Sequence, residues 1–311
     1  MTVPTGGGGS GSAPERVWSV HPVRMVLPVS QWAGLLASRD VVDVPRRFAV
    51  RPGEVRTGGV EPAGAELGAR QAQAVGRMLD VVDAAPVRVH VGSWGRGRAA
   101  SAVVCVGGDR VVTLASAGPD PARGGGVVGA PPWVEVSAVW GGDVLAEVMR
   151  AGHPDLDAGS SAVAGGAADV DVDVDAVGSL AWATAMRDGD TDTLRVLLSR
   201  DGLAEVPVQV RAAVDGLVGA TGVRVEVRPG SARAGSPGVS WFGLWLATQD
   251  GTLAMRPGLS AGPSGGSRDG ERVRLWWAAP GEVSRDVVAA LAGAHDAVDL
   301  LAAGDGAGGA R

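Results

Sequence analysis

Lysine, isoleucine, asparagine and tyrosine are absent from all 311 residues. Their codons begin with two A or T bases, so the gap points to a very GC-rich coding sequence. The absence has chemical consequences. Without lysine there is no Schiff-base amine and no P-loop amine. All 28 positive charges are arginine, spread along a chain of net charge -6. A phosphate-tracking surface needs clustered cations, so nucleic acid is not an expected partner. The lone cysteine, Cys105, excludes an internal disulfide framework and a CxxC site. It lies in the apolar run "SAVVCVGG" and is expected to be an inert thiol in a buried strand. No apolar run approaches the roughly 18 residues that span a bilayer. The opening "MTVPTGGGGSGSAPERV" has neither a basic n-region nor an apolar h-region. A cytoplasmic protein without membrane insertion is expected.

What is present supports a substantial core, with 45% hydrophobic residues. The parts recur in order. "VRVHV" is answered by "VRVEV", "VVCVGGDRVVTLA" by "LWLATQDGTLAM", and "WVEVSAVW" by "RVRLWW"; a helix closes each set. Arg88 and Arg224 are 136 residues apart, and Asp109 and Asp250 are 141 apart. The small drift is that of a diverged duplication with unequal loops. In "VRVHV", Val87, Val89 and Val91 alternate with Arg88 and His90, the pattern of a half-buried antiparallel strand. "GGD" and "QDG" read as hairpin turns. The expected fold is α+β. Two quasi-two-fold halves each carry a mostly antiparallel meander sheet flanked by helices.

The expected boundaries are a Gly/Ser-rich tail at 1–22, a first half at 23–157, an acidic Gly/Asp linker at 158–178, a second half at 179–303 and a short tail at 304–311. A helix is expected in "GAELGARQAQAVGRMLDVV", with Leu67, Ala74, Met78 and Val81 on one side. Similar helices are expected in "LAWATAMRDG" and "PVQVRAAVDGLVG", and a last one in "RDVVAALAGAHDAVDLL" behind a Ser284 cap. Within the linker, "GAADVDVDVDAVG" alternates Asp169, Asp171, Asp173 and Asp175 with valine. An EF-hand loop needs Gly at its sixth position and Glu at its twelfth; counting from Asp169 gives Val174 and Leu180. Repulsion among carboxylates on one face also disfavours a strand, so a solvated linker is expected, with weak cation binding left open.

Motifs of catalysis fail on context. GxGxxG occurs at Gly124–Gly129, before "APPW", and at Gly304–Gly309 near the end; neither joins a strand to a helix. GxSxG at Gly262–Gly266 lies in a glycine-rich loop between strands. His21, His90, His153 and His295 show no metal-ligand spacing. No catalytic residue, metal or cofactor is assigned, and a non-catalytic protein is expected.

Tryptophan carries the most information. Trp133, Trp140, Trp241, Trp245, Trp276 and Trp277 fall in expected strands. In "WW" the two rings point to opposite faces, so an inward Trp277 leaves Trp276 facing outward, into a helix layer or a partner. The loop "GSWGRGRAAS" offers Trp94 between glycines, with Arg96 and Arg98 beside it, as a recognition element. Val287, Leu291, Ala294, Val298 and Leu301 form a seam on the last helix, for the core or for a partner.

The series "GVSWFGLWLATQDGTLAMRP", a glycine-rich loop and "RVRLWWAAPGEVSRDVVAALAG" resembles the closing half of EspG-family proteins. "RMVLPVSQWAGLL" resembles that family's opening strand and helix. The likeness runs from Val23 to Ala303. It departs at Leu253, where the family often has an aromatic, and in the long acidic linker. The resemblance implies a cytosolic chaperone for type VII secretion. Such a protein would bind the apolar helical tip of a PE–PPE-like pair and keep it soluble for export. The residues offered as contacts are Trp94, Arg96, Arg98 and Trp276, with Val287, Leu291 and Val298 on the last helix. A general interaction scaffold and a hydrolase with a non-local active site are the alternatives. Weak self-association through exposed strands is left open.

Overall fold

The computed structural model describes residues 23–39, 44, 48–49, 67–95, 98–119, 133–152, 170–174, 216–228, 240–258 and 271–308. Alternating valines and alanines, punctuated by glycine turns, make about half of these residues strand. In the first half β1 (Val23–Pro28) leads into α1 (Val29–Ala37), followed by α2 (Ala69–Ala84). Then come β2 (Val87–Gly95), β3 (Arg98–Gly107), β4 (Arg110–Pro119) and β5 (Trp133–Trp140). A 3-10 turn and α3 (Val144–Ala151) follow. The second half contributes β6 (Val170–Val174), β7 (Leu217–Val227), β8 (Ser240–Thr248), β9 (Thr252–Gly258), β10 (Glu271–Trp277) and α4 (Glu282–Gly308).

Among the described residues, ten strands form one antiparallel sheet in the order β1-β5-β4-β3-β2-β7-β8-β9-β10-β6. The fold is α+β, and the order is symmetric about its centre. Each half is a four-strand meander whose opening strand lies beside its fourth strand at the outer edge. The halves share one sheet instead of holding a sheet each. β2 and β7 would otherwise be two open edges, and pairing them satisfies both sets of backbone groups. Val89 opposes Val225 in this pair. The two are also 136 residues apart, the offset of the repeat, so the quasi-two-fold axis passes between them.

Turn chemistry fits. Gly108 takes the left-handed conformation (φ +62) between β3 and β4, where a side chain would be strained. Thr248 Oγ1 donates to the Gly251 carbonyl at 2.9 Å and closes the β8–β9 turn. On one face, Val87, Val89, Val91, Val104, Val223, Val225, Trp245, Val283 and Val287 form an apolar core that runs across both halves beneath α3 and α4. On the other face, Trp32, Val75, Met78, Leu79, Cys105, Leu114, Val134 and Val136 form a core under α1 and α2. Cys105 is a buried free thiol, as its apolar surroundings predict.

Four expectations need correction. The acidic stretch is not a linker throughout, since Val170–Val174 is β6, the second half's counterpart of β1. Its partner strand supplies the reason. The register sets Asp171 opposite Arg274 and Asp173 opposite Arg272, with valines between, so opposite charges alternate across the ladder. The last helix begins at Glu282, placing Ser284 within its first turn instead of at its cap. Glu282 itself reaches back, accepting the Ala279 amide at 2.7 Å. That helix also runs past 303 to Gly308, because extending a formed helix is far easier than starting one. "LVG" at the end of the expected "PVQVRAAVDGLVG" helix opens β7. The "LAWATAMRDG" helix lies outside the described residues.

Candidate interaction surface

Interior strands of a sheet this wide are normally covered on both faces. Among the described residues, the helices that lie over the central pair β2–β7 are α3 and α4, both on one face. α2 packs over β3, β4 and β5 on the other face, and of β2 it meets Arg88 through the Val82 carbonyl. On β8, β9 and β10, the side chains of Leu244, Leu246, Leu253, Met255 and Leu275 are buried on the same face as α2. Between these regions lies a strip of β2 and β7 on which Gly92 and Arg224 are exposed and His90, Trp94, Gly222 and Glu226 half-buried.

The register builds the strip row by row. Trp94 faces Ala220, Gly92 faces Gly222, His90 faces Arg224, and Arg88 faces Glu226. Gly92 is exposed, and a Cβ built on it would meet nothing within 4 Å. Gly222 carries the Phe242 ring, 3.7 Å from where its Cβ would stand. Phe242 is 37% exposed, an unusual placement for phenylalanine on an interior strand. Trp94 is half-buried, with its Nε1 shielded from water and no hydrogen-bond partner among the described residues. Gly92 thus leaves an open floor beside Trp94, and the Phe242 ring lies over Gly222 next to it.

The other end of the strip is charged. His90 Nε2 lies 3.2 Å from Glu226 Oε2, and an Arg224 amino group donates to Glu226 Oε1 at 2.6 Å. Arg88, 4% exposed, donates to the Val82 carbonyl at the end of α2 at 2.8 Å. Burial pushes the His90 imidazole below its ordinary range, and the Arg224 and Arg88 charges push the same way against Glu226.

A second polar cluster lies on the face of α3. Glu147 is almost fully buried on that helix and accepts from Arg24 of β1 at 2.6 Å, from Arg150 at 2.8 Å and from Ser137 Oγ of β5 at 3.2 Å. Arg150 also pairs with Glu135 of β5 at 2.7 Å. Burial alone would raise the Glu147 carboxyl, but Arg150 and Arg24 hold it below its ordinary range. The cluster fastens the edge strand β1 to β5 and α3, and it is closed to solvent around the carboxylate.

The expected contacts fare differently. Trp94 lies on the strip, at a strand end instead of in an open loop. Arg96 and the Arg98 side chain lie outside the described residues. Of the two surroundings expected for Trp276, it has the helix layer. Its ring packs against the core under α4, and its Nε1 donates to Glu282 Oε1 at 2.5 Å. Val287 is fully buried, and Leu291 and Val298 pack partly against the same core. The seam on the last helix is therefore a core seam. It meets the sheet because α4 lies over β7 and β2. The exposed apolar residues of α4 are Val288, Leu300 and Leu301 instead. Sequence reasoning missed Phe242. The signal was present in Gly222: a glycine in an interior strand marks close approach of another group.

No helix among the described residues is long and apolar enough to cross a membrane. No group of three or more His, Cys, Asp or Glu among them could hold a metal. No protein-family model matches the chain, and no curated protein matches it. Among solved structures, the chain is similar to the type VII secretion system chaperone EspG5 of Mycobacterium tuberculosis, solved in complex with a PE25–PPE41 dimer. The likeness covers 86% of this chain and 96% of that one, at 12% identity and a TM-score of 0.47.

Proposed function

We propose that the chain is a non-catalytic binding protein of the EspG kind, which masks the apolar helical tip of a PE–PPE-like secretion substrate in the cytosol. The observation that carries the proposal is the uncovered strip across β2 and β7. Exposed apolar sheet in the middle of a sheet marks a docking surface. Here the open space above Gly92 leaves room for a partner's backbone, and Trp94 and Phe242 stand beside it as anchors. The residues that resemble the EspG family indicate what would dock. The mechanism needs no bond chemistry: apolar surface on the client is removed from water until the client is handed on.

The test is affinity purification of the tagged full chain from its native host, with mass spectrometry of stoichiometric partners. Recovery of a paired helical substrate is expected. Trp94→Ala and Phe242→Ala should each then weaken binding by about tenfold, the effect of losing a moderate anchor. Recovery of the chain alone, from cells shown to express such substrates, would overturn the proposal. Undiminished binding by both variants would remove the strip as its site.

A further inference from the structure

The rows of the strip change in kind along its length. Opposite Trp94 and Gly92 stand Ala220 and Gly222, and none of these is charged. Opposite His90 and Arg88 stand Arg224 and Glu226. This end sets two guanidinium groups against one carboxylate, and His90 adds positive charge or none. The excess is positive in a chain whose net charge is -6. The two arginines are not equivalent. Arg88 is 4% exposed and donates to the Val82 carbonyl. The Arg224 side chain is 56% exposed, and one of its amino groups reaches Glu226 at 2.6 Å. A guanidinium donates along more than one edge, so Arg224 can hold a second carboxylate while keeping Glu226.

We propose that the client helix docked on the strip carries an acidic side chain, which Arg224 holds about one to two helical turns from the apolar contact at Gly92 and Trp94. This rests on the strip being the client's docking surface, and it names the client chemistry that surface selects. The spacing follows from the sheet. Side chains of one face recur at every second residue, so neighbouring rows lie ~7 Å apart along a strand. The Arg224 row is the next one to Gly92 and the second from Trp94. A helix advances ~5.4 Å per turn, so one laid on the open floor brings a residue one to two turns further on over Arg224. Phe242 stands opposite Arg224 on β8, and its ring lies over Gly222. It therefore borders both the apolar floor and the guanidinium. An ion pair formed beside that ring loses water as the client docks, and is stronger than an open surface pair.

A client carboxylate at Arg224 balances the excess charge of this end. A basic side chain in its place would meet Arg224 and the buried Arg88 with only Glu226 to offset them, and such a client is rejected. The apolar floor by itself accepts many apolar surfaces of fitting shape. Arg224 supplies the choice among them.

The chain has no lysine, so Arg224→Lys gives it its only side-chain amine. The tagged full chain with this substitution captures the client from the native host beside the unchanged chain. The complexes are then treated with a water-soluble carbodiimide, which joins an amine directly to a carboxylate in contact with it. Peptide mass spectrometry should find position 224 joined to an Asp or Glu of the client. A captured client with position 224 unjoined, or joined only to Glu226 of its own chain, would overturn the acidic contact and leave the docking surface standing. Arg224→Gln gives an independent measurement. It should weaken binding of the captured client about fivefold at low salt and flatten the salt dependence, with the thermal midpoint kept. Equal affinity and an equal salt slope would sink the proposal as well. Capture of no client by the unchanged chain is the distinct result that removes the docking surface, and the acidic contact with it.

Discussion

Arg88 and Arg224 occupy the same position in the two halves, yet Arg88 is 4% exposed and the Arg224 side chain is 56% exposed. The first reaches the end of α2; the second stands open on the strip beside Phe242. The edge strands differ in the same way. β1 is held by Arg24 reaching the buried Glu147 of α3, whereas β6 has aspartates in register with the arginines of β10. Topology and the axial valines are common to both halves, while the polar chemistry that secures each has diverged. Backbone pairing and apolar alternation fix the architecture, and many different charge arrangements can satisfy it.

The difference can be tested by substitution. The largest effect is expected at the first half's edge. Glu147→Ala leaves Arg24 and Arg150 without their shared buried carboxylate and should cost about 3 kcal/mol in urea unfolding. An unchanged midpoint would mean that β1 is held by its ladder to β5 alone. Next comes Gly243→Ala on the α4 face. A Cβ there would stand 2.6 Å from the Trp245 ring and 2.7 Å from the Trp241 ring. Both rings must shift, with an expected cost of about 2 kcal/mol and an altered near-ultraviolet circular dichroism spectrum. The counterpart arginines then separate the halves directly. Arg88→Ala should destabilise by about 2 kcal/mol, because it strands a buried carbonyl, and Arg224→Ala by under about 0.5 kcal/mol. Equal effects would show that exposure does not distinguish the two. The smallest effect is expected at the second edge. Arg274→Glu sets like charges opposite Asp171 and should cost about 0.5 kcal/mol, read as faster backbone exchange in β6 and β10.

Much of the fold was legible because it is written in short-range pattern. Val87, Val89 and Val91 alternate, glycine marks the turn at Gly108, and the recurrence of parts gives the two halves. The site was less legible. Trp94 was found because it is a large aromatic beside glycines, and it does lie on the strip. What Trp276 and Val287 meet was left open, because alternation and spacing say only that one face is apolar, not what lies against it. In the structure Trp276 and Val287, one from β10 and one from α4, belong to the same core. The acidic stretch was misread because its own charges were weighed without those of Arg272 and Arg274, about a hundred residues further on.

The sequence by itself determined the α+β class, the duplicated order of strands, the buried thiol and the lack of any local catalytic motif. Those follow from the periodicity of side chains along a strand or helix, which is a property of neighbours in the chain. Only the tertiary structure decided that the two halves share one sheet and that β6 closes its outer edge. The same holds for the open central strip and for His90 meeting its own repeat counterpart. Each of these is a pairing between distant segments. It depends on which edges and charges remain unsatisfied once the local elements have formed, and no short stretch of sequence records that.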